Sequence, residues 1–308
     1  MYDFSKAVIK VENTTLCGAS CVMCPRDEFN FHRQVMTLEC FKRLSDETYR
    51  MGVRSMIFGG FGDPLMDVYL YERLDYIKQN YPDFQISMID TGHLLEGEKA
   101  RIVSEYIDVI KISNYGFSKE VYESVHRGSL QYEKVKRNID EFLSLKKRPF
   151  TIMTFLDLPQ NHHEAVAWEE YYEPKCERID IWKPHSWGGN TFGGEGVKEI
   201  IVACKRALLL SDLTFCADGS VSLCCFDFNR KLVIGNILND SFENIVVNEE
   251  TKRLQRLHRG GDFLSSSLIC KDCDQIRDRT SALIYTSDKK MRIGENSMQT
   301  FKAETRSE

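Results

Sequence analysis

The chain has 308 residues, of which 42% are apolar and 28% charged, the profile of an ordinary globular protein with room for one large domain or two smaller ones. With 41 Lys and Arg against 46 Asp and Glu, the formal charge is −5, so no global positive field is available for nucleic acid or an anionic membrane. Mean hydropathy is −0.36, and the apolar runs fall far short of the roughly 18 residues a membrane span needs, so a soluble protein without a membrane partner is expected.

Residues 1–13 contain Lys6 and Lys10 but no apolar run ending in a small-residue cleavage site, so no secretory signal is read and a cytoplasmic location is expected. In a reducing compartment the eleven cysteines are ligands or reactive groups rather than disulfides.

Ala7 to Val11 alternates as a strand and runs into Cys17, Cys21 and Cys24; Thr37 to Met51 reads as a helix capped by Thr37. Arg54 to Phe58 is a strand ending in Gly59-Gly60-Phe61-Gly62-Asp63-Pro64, followed by a helix from Val68 to Gln79. The alternation continues with strands at Phe84 to Ile89, Val109 to Ser113, Phe150 to Phe155 and Arg178 to Trp182, separated by helices at Glu96 to Glu105, Leu130 to Leu145 and Glu164 to Tyr171. Such a series predicts right-handed βαβ crossovers and a parallel sheet whose chemistry collects at the carboxyl ends of its strands. After the glycine-rich stretches Trp187 to Asn190 and Gly193 to Gly196 the pattern changes to short strands around Thr214 to Leu223, a turn at Gly235 and Asn236, and a helix from Glu243 to His258. The expected division is a first domain over residues 1–195, a small second domain over 196–284 and a polar tail over 285–308.

Cys17-Gly-Ala-Ser-Cys21-Val-Met-Cys24 puts three thiols on one short loop. Zinc in a structural site wants a fourth protein ligand, and His32 and Cys40 are the local candidates; an iron–sulfur cluster on three thiolates leaves one iron open. A second set follows: Cys204, Cys224 after a turn at Asp218 and Gly219, and the chelating pair Cys270 and Cys273. Four thiolates close a site for either zinc or a fully ligated [4Fe–4S] cluster. Cys40 and Cys176 read as plain core thiols.

The CxxxCxxC loop after the first strand of a βα series resembles the radical S-adenosylmethionine (SAM) superfamily, with Met23 where that family usually has an aromatic residue. Phe29 or Phe31 would then supply a ring. The resemblance implies an α/β fold, a partial (β/α)6 barrel followed by a small α+β auxiliary Fe–S domain. It implies a [4Fe–4S] cluster on Cys17, Cys21 and Cys24, whose open iron chelates SAM and whose electron cleaves it to a 5′-deoxyadenosyl radical. Gly59, Gly60, Gly62 and Asp63 are similar to the family's glycine-rich motif that cups the methionine amino group, Met23 packs near the adenine, and Ser113 and Asn114 resemble the positions reaching the ribose. The set Cys204, Cys224, Cys270 and Cys273 resembles the shortened, one-cluster "twitch" form of the SPASM auxiliary domain, holding a second [4Fe–4S] cluster.

The chemistry this implies begins with hydrogen abstraction from a C–H of the substrate. If the carbon bears a hydroxyl, loss of a proton to a base and of an electron to the auxiliary cluster gives a ketone. If a thiol, Cys216 or Cys225, returns a hydrogen atom from the opposite face, the centre is epimerised. His185 is the candidate base, Trp187 a cover for a sugar ring, and Arg127 a holder of an anionic group. Only sixteen residues precede Cys17, which favours a small substrate over a peptide bound by a leader-recognition module. The leading expectation is oxidation of a sugar, aminocyclitol or similar polyhydroxylated metabolite, with a flavodoxin- or ferredoxin-like electron donor. The alternatives are an epimerase, a peptide-modifying radical enzyme, and a zinc-stabilised binding module without catalysis.

Overall fold

The computed structural model of the chain describes residues 2–188, 203–277 and 283–288. In chain order its elements are β1 (Ile9–Val11), α1 (Leu38–Arg50), β2 (Ser55–Phe58), α2 (Leu70–Asn80), β3 (Gln85–Asp90), α3 (Gly97–Tyr106), β4 (Val109–Ser113), α4 (Lys119–Val125), α5 (Tyr132–Leu143), β5 (Phe150–Leu156), α6 (Ala165–Tyr172), β6 (Arg178–Trp182), α7 (Lys205–Leu209), β7 (Thr214–Phe215), β8 (Ser220–Ser222), β9 (Val233–Asn236), α8 (Phe242–Val247), α9 (Glu249–Gly260), α10 (Asp274–Arg277) and β10 (Leu283–Thr286). The strands form a single sheet in the order β10-β6-β5-β4-β3-β2-β1-β7-β8-β9, with β1 to β6 parallel throughout.

Strand alternation sorts the side chains between the two faces of this sheet. Ile9, Val11, Met56, Phe58, Ile86, Met88, Ile110, Ile112, Met153, Phe155, Ile179 and Ile181 face the helices and make the main core with Phe41, Leu44, Leu74, Ile139, Phe142 and Trp168. The other face carries a small apolar cluster of Val8, Ile57, Val109 and Ile152, with Ile89 and Phe150 against it. Val8 belongs to β1's segment and Ile152 to β5, four strands away in the sheet, so one apolar cluster runs across this inner face. The cluster is a floor. Above it, toward the carboxyl ends of the strands, the same inner parity brings Lys10, Glu12, Lys111, Ser113, Thr154, Asp180 and Trp182.

Four differences from the sequence reading have local causes. An additional helix, α4, forms because Ser118 caps Val121 N and Gly128, at φ +68°, closes the segment after it. The expected turn at Gly235 and Asn236 is the end of strand β9, where Gly235 pairs with Val221 and a Cβ would stand 2.8 Å from Ile245. The expected helix from Glu243 to His258 is two helices, because Asn248 caps Thr251 N through Oδ1 and donates through Nδ2 to Ile234 O, restarting the chain. The segment at the start of the expected tail is strand β10, antiparallel to β6. The expected boundary at 195 and the glycine-rich stretch 193–196 lie outside the described residues. On the far side of that stretch β7 pairs in parallel with β1, Lys10 opposite Thr214, so the second module continues the sheet of the first.

Candidate functional site

The three-cysteine loop is held by its return. Thr15 N donates to Gln34 O, Gln34 N to Thr15 Oγ1, and Thr14 bridges to Val35. Arg26 Nη2 donates to Cys17 O, Cys24 N to Cys21 O, and Val22 N to Val125 O, which fastens the loop to the end of α4. Cys21 Sγ lies 3.1 Å from Nδ1 of His126, a fully buried imidazole held between Tyr115 and Tyr122. Burial lowers the pKa of His126 to about 4, so it is neutral at pH 7. The thiols are shifted the other way: desolvation raises Cys17 to about 11 and also raises Cys21 and Cys24, and Cys21 feels both of the others electrostatically.

The glycine-rich loop after β2 leans on this one. Asp63 N donates to Leu16 O at 2.7 Å, and a Cβ on Gly62 would stand 2.1 Å from Thr14 O, so only glycine lets the two loops meet backbone to backbone. A Cβ on Gly60 would stand 3.1 Å from Glu12 Cγ and one on Gly59 3.3 Å from Ile89 Cβ. Asp63 is buried; Oδ1 accepts from Leu65 N and Oδ2 from Thr91 Oγ1, with His93 Nδ1 3.1 Å away. Burial alone pushes the Asp63 carboxyl up, but His93, Asp90 and Thr91 outweigh it and hold its pKa below the usual value. Asp90, buried and facing that charge, is pushed well above its own. The carboxylate predicted from the motif is therefore fixed and ionised, beside Cys17.

Of the two residues expected at the ribose, strand parity separates them. Ser113 ends β4 on the inner face, whereas Asn114 turns to the helices, its Oδ1 accepting from Trp168 Nε1 at 2.9 Å. Met23 is buried against Val125 and Leu158, and its carbonyl accepts from Trp187 Nε1. Phe29 stacks on Phe31 and meets Phe61, Phe61 meets Trp187, Trp187 meets His185, and His185 meets Phe226, an aromatic line from the cysteine loop to the second module. Arg127 is at the surface in an ion pair with Asp27 at 2.9 Å, and its charge acts on Cys24.

The second module gathers its thiols from separate segments. Cys204 precedes α7, Cys224 follows β8 and accepts from Phe226 N, and Cys270 lies in a 3-10 turn at Ile269–Asp272 that Cys273 ends. The β7–β8 hairpin turns at Gly219, φ +83°, as its Asp-Gly pair predicts. Burial pushes Cys270 and Cys273 up to about 12, and Cys204 acts on both. Arg206 is half-buried among these groups; desolvation pulls its pKa down, but Cys225, Asp212, Cys224 and Cys204 outweigh that and raise it. Cys224 and Cys225 act as a pair. Their hydrogen bond lowers Cys225 to about 6, with help from Lys10 and Arg206, and raises Cys224 well above the ordinary value. Cys225, expected with Cys216 as a hydrogen donor, is thus the more acidic thiol of the pair. Cys216 keeps its proton, buried beside Glu12.

His185 sits where the two modules meet. Burial lowers its pKa to about 3, and the cations Lys10 and Arg206 add to the effect, so the imidazole is neutral at pH 7 with an unpartnered Nδ1. The next residue, Ser186, exchanges hydrogen bonds with Asp274, which fixes this loop to the CxxC turn.

Among the described residues no three His, Cys, Asp or Glu side chains already converge in metal-ligand geometry. The donor sets nevertheless fit iron–sulfur clusters. Each centre collects thiols whose pKa values desolvation raises, and a metal binds the thiolate and releases the proton. The half-buried guanidinium of Arg206 in turn suits the net negative charge that four cluster thiolates bring. Sequence reasoning missed Thr91 and His93, His126, Lys10, Lys111, Asp180 and Arg206. The placement of Asp90-Thr91-Gly92-His93 at a strand's carboxyl end was the available signal for the first two, and the two inward lysines were legible only once strand parity was known.

A model of the radical SAM superfamily matches residues 11–170, and a model of an iron–sulfur cluster-binding domain, SPASM, matches residues 204–274. Among solved structures, BtrN in complex with AdoMet and 2-DOIA is 17% identical, with a TM-score of 0.61 over 93% of this chain and 98% of that one. SuiB from Streptococcus suis bound to precursor peptide SuiA is 10% identical, with a TM-score of 0.65 over 81% of this chain and 66% of that one. AnSMEcpe with bound AdoMet is 15% identical, with a TM-score of 0.64 over 90% and 88%. At these identities the likeness is one of fold. No curated protein matches the sequence.

Proposed function

The chain belongs to the radical SAM superfamily and carries an auxiliary iron–sulfur cluster-binding domain, and from that premise we propose that it oxidises an alcohol of a small polyhydroxylated substrate, with the auxiliary cluster as electron acceptor. S-adenosylmethionine and the [4Fe–4S] clusters, when bound, supply hydrogen-atom abstraction from the carbinol carbon and a one-electron sink. Cys17, Cys21 and Cys24 hold the first cluster, with Asp63, Ser113 and Met23 toward S-adenosylmethionine. Cys204, Cys224, Cys270 and Cys273 hold the second.

One observation carries this reading. The His185 ring packs 4.3 Å from that of Phe226, the residue after Cys225, whose ring Arg206 Cζ approaches to 5.1 Å, so the base candidate stands beside the auxiliary thiols. Neutral His185 takes the hydroxyl proton at Nδ1 as the second electron leaves toward the thiol centre, and the carbon–oxygen bond becomes a carbonyl. The aromatic line through Phe61, Trp187 and Phe226 screens that transfer from water. A flavodoxin- or ferredoxin-like protein delivers the initiating electron. BtrN, which this chain matches nearly end to end, was solved with AdoMet and 2-DOIA, whereas SuiB, solved with a precursor peptide, is matched over 66% of its length.

The test is anaerobic turnover with a panel of sugars and cyclitols. Oxidation predicts 5′-deoxyadenosine and a carbonyl product in equal amounts; a stereoisomer without carbonyl, with Cys216→Ala abolishing it, would contradict the oxidation and select the epimerase. His185→Asn is expected to lower carbonyl formation by roughly 10²- to 10⁴-fold with iron content unchanged.

A further inference from the structure

The inner face between β4 and β6 carries polar groups that the fold itself does not use. Thr154 Oγ1 and Asp180 Oδ1 are buried atoms without a hydrogen-bond partner, in residues 6% and 0% exposed, and Trp182 Nε1 is likewise buried and unpartnered. They are neighbours. Thr154 and Asp180 are partners in the β5–β6 register, and Trp182 follows two residues later on the same face. Lys111 Nζ stands 3.9 Å from Asp180 Oδ2 and 4.6 Å from the centre of the Trp182 ring, and Arg178 Nη2 lies 3.0 Å from Asp180 Oδ2. Nearly all buried polar atoms in folded proteins are paired, so three orphans on one patch call for a ligand. Valine at 154 would fill the same volume without an orphaned hydroxyl.

The patch also says what kind of ligand. It presents an acceptor in Asp180 Oδ1, a donor in Trp182 Nε1, and in Thr154 Oγ1 a group that does both. Hydroxyls, which donate and accept, satisfy all three. An ammonium has no acceptor for Trp182 and meets two cations, Lys111 and Arg178, beside Asp180, the one carboxylate paired with them among the described residues; a bare anion meets the unpaired carboxylate oxygen. We propose that Thr154, Asp180 and Trp182 form the substrate subsite, that it takes adjacent neutral hydroxyls of a polyol, and that it excludes an ammonium from those positions. The inference rests on the polyhydroxylated-substrate reading and adds which edge of the molecule is bound and by which residues. The apolar floor of Val8, Ile57, Val109 and Ile152 lies beneath it on the same face.

The experiment is equilibrium binding, by anaerobic calorimetry, of a panel of inositols, hexoses and their monoamino and monodeoxy derivatives to the cluster-loaded, S-adenosylmethionine-bound protein. The subsite predicts that the tightest polyol loses roughly tenfold in affinity in Thr154→Val and in Asp180→Asn, while Thr154→Ser retains it, with iron content and S-adenosylmethionine binding unchanged. It predicts further that one monodeoxy derivative is weakened against the parent but loses nothing more in Thr154→Val, the non-additivity of two groups that touch. Unchanged polyol affinity in both Thr154→Val and Asp180→Asn would overturn the subsite and leave the polyol reading standing, the patch then holding water. Failure of every polyol to bind the parent would overturn both.

Discussion

The two thiol centres of this protein are built in opposite ways. Cys17, Cys21 and Cys24 lie within eight consecutive residues, and the loop that carries them is held by its return at Gln34 and Val35, the backing of Gly62 and the end of α4. The second centre draws on Cys204, Cys224 and the Cys270–Cys273 turn, brought together by a hairpin, a helix start and a clip from Asp274 to Ser186. A contiguous site is specified by spacing alone. A dispersed one is specified by the fold, so Cys224 rather than Cys225 is named from the sequence only through the resemblance, and the charges of Arg206 and Lys10 bear on Cys225.

Three experiments break or sharpen that contrast. The largest effect is expected from Cys270→Ala/Cys273→Ala. If the second centre is the electron acceptor, the variant keeps about four irons and still forms 5′-deoxyadenosine, but its carbonyl product falls at least about 100-fold, on the scale of losing a whole catalytic function. Product formation at the parent rate would show that the dispersed centre is structural. Next in size is Gly62→Ala, which puts a methyl group into the Thr14 carbonyl and should cost about 1–3 kcal/mol in denaturant unfolding, together with weakened iron retention at the first centre only. An unchanged denaturation midpoint would mean that the contiguous loop does not depend on the glycine loop behind it. The smallest effect belongs to Arg127→Ala, which removes an exposed ion pair with Asp27. It should change stability by no more than about 1 kcal/mol and leave product formation intact, and a large loss of activity would support the anion-holding role expected of Arg127 from the sequence.

The same contrast governs how much was legible beforehand. The six parallel strands followed from their alternation with helices, and β4 and β6 have the bounds the sequence predicts. The three-cysteine loop and the Asp218-Gly219 hairpin were equally plain, because spacing and turn chemistry are local. What was lost depends on long-range geometry. That Ser113 faces inward and Asn114 holds Trp168 is a matter of strand parity at one residue's precision. That Asp63 answers to His93 and Thr91, or that His126 lies against Cys21, requires knowing which loops stand together at the strand ends. The pairing of β7 with β1 escaped for the same reason, since a two-residue strand carries no periodicity of its own.

The central claim is that both centres hold clusters, one to start the reaction and one to receive its electron. Iron and sulfide analysis after anaerobic reconstitution of the parent and of Cys17→Ala/Cys21→Ala/Cys24→Ala tests it most directly. Two clusters predict about eight irons and eight sulfides in the parent and about four of each in the triple variant. About four irons in the parent, vanishing in the triple variant, would contradict the auxiliary cluster and the oxidation that depends on it.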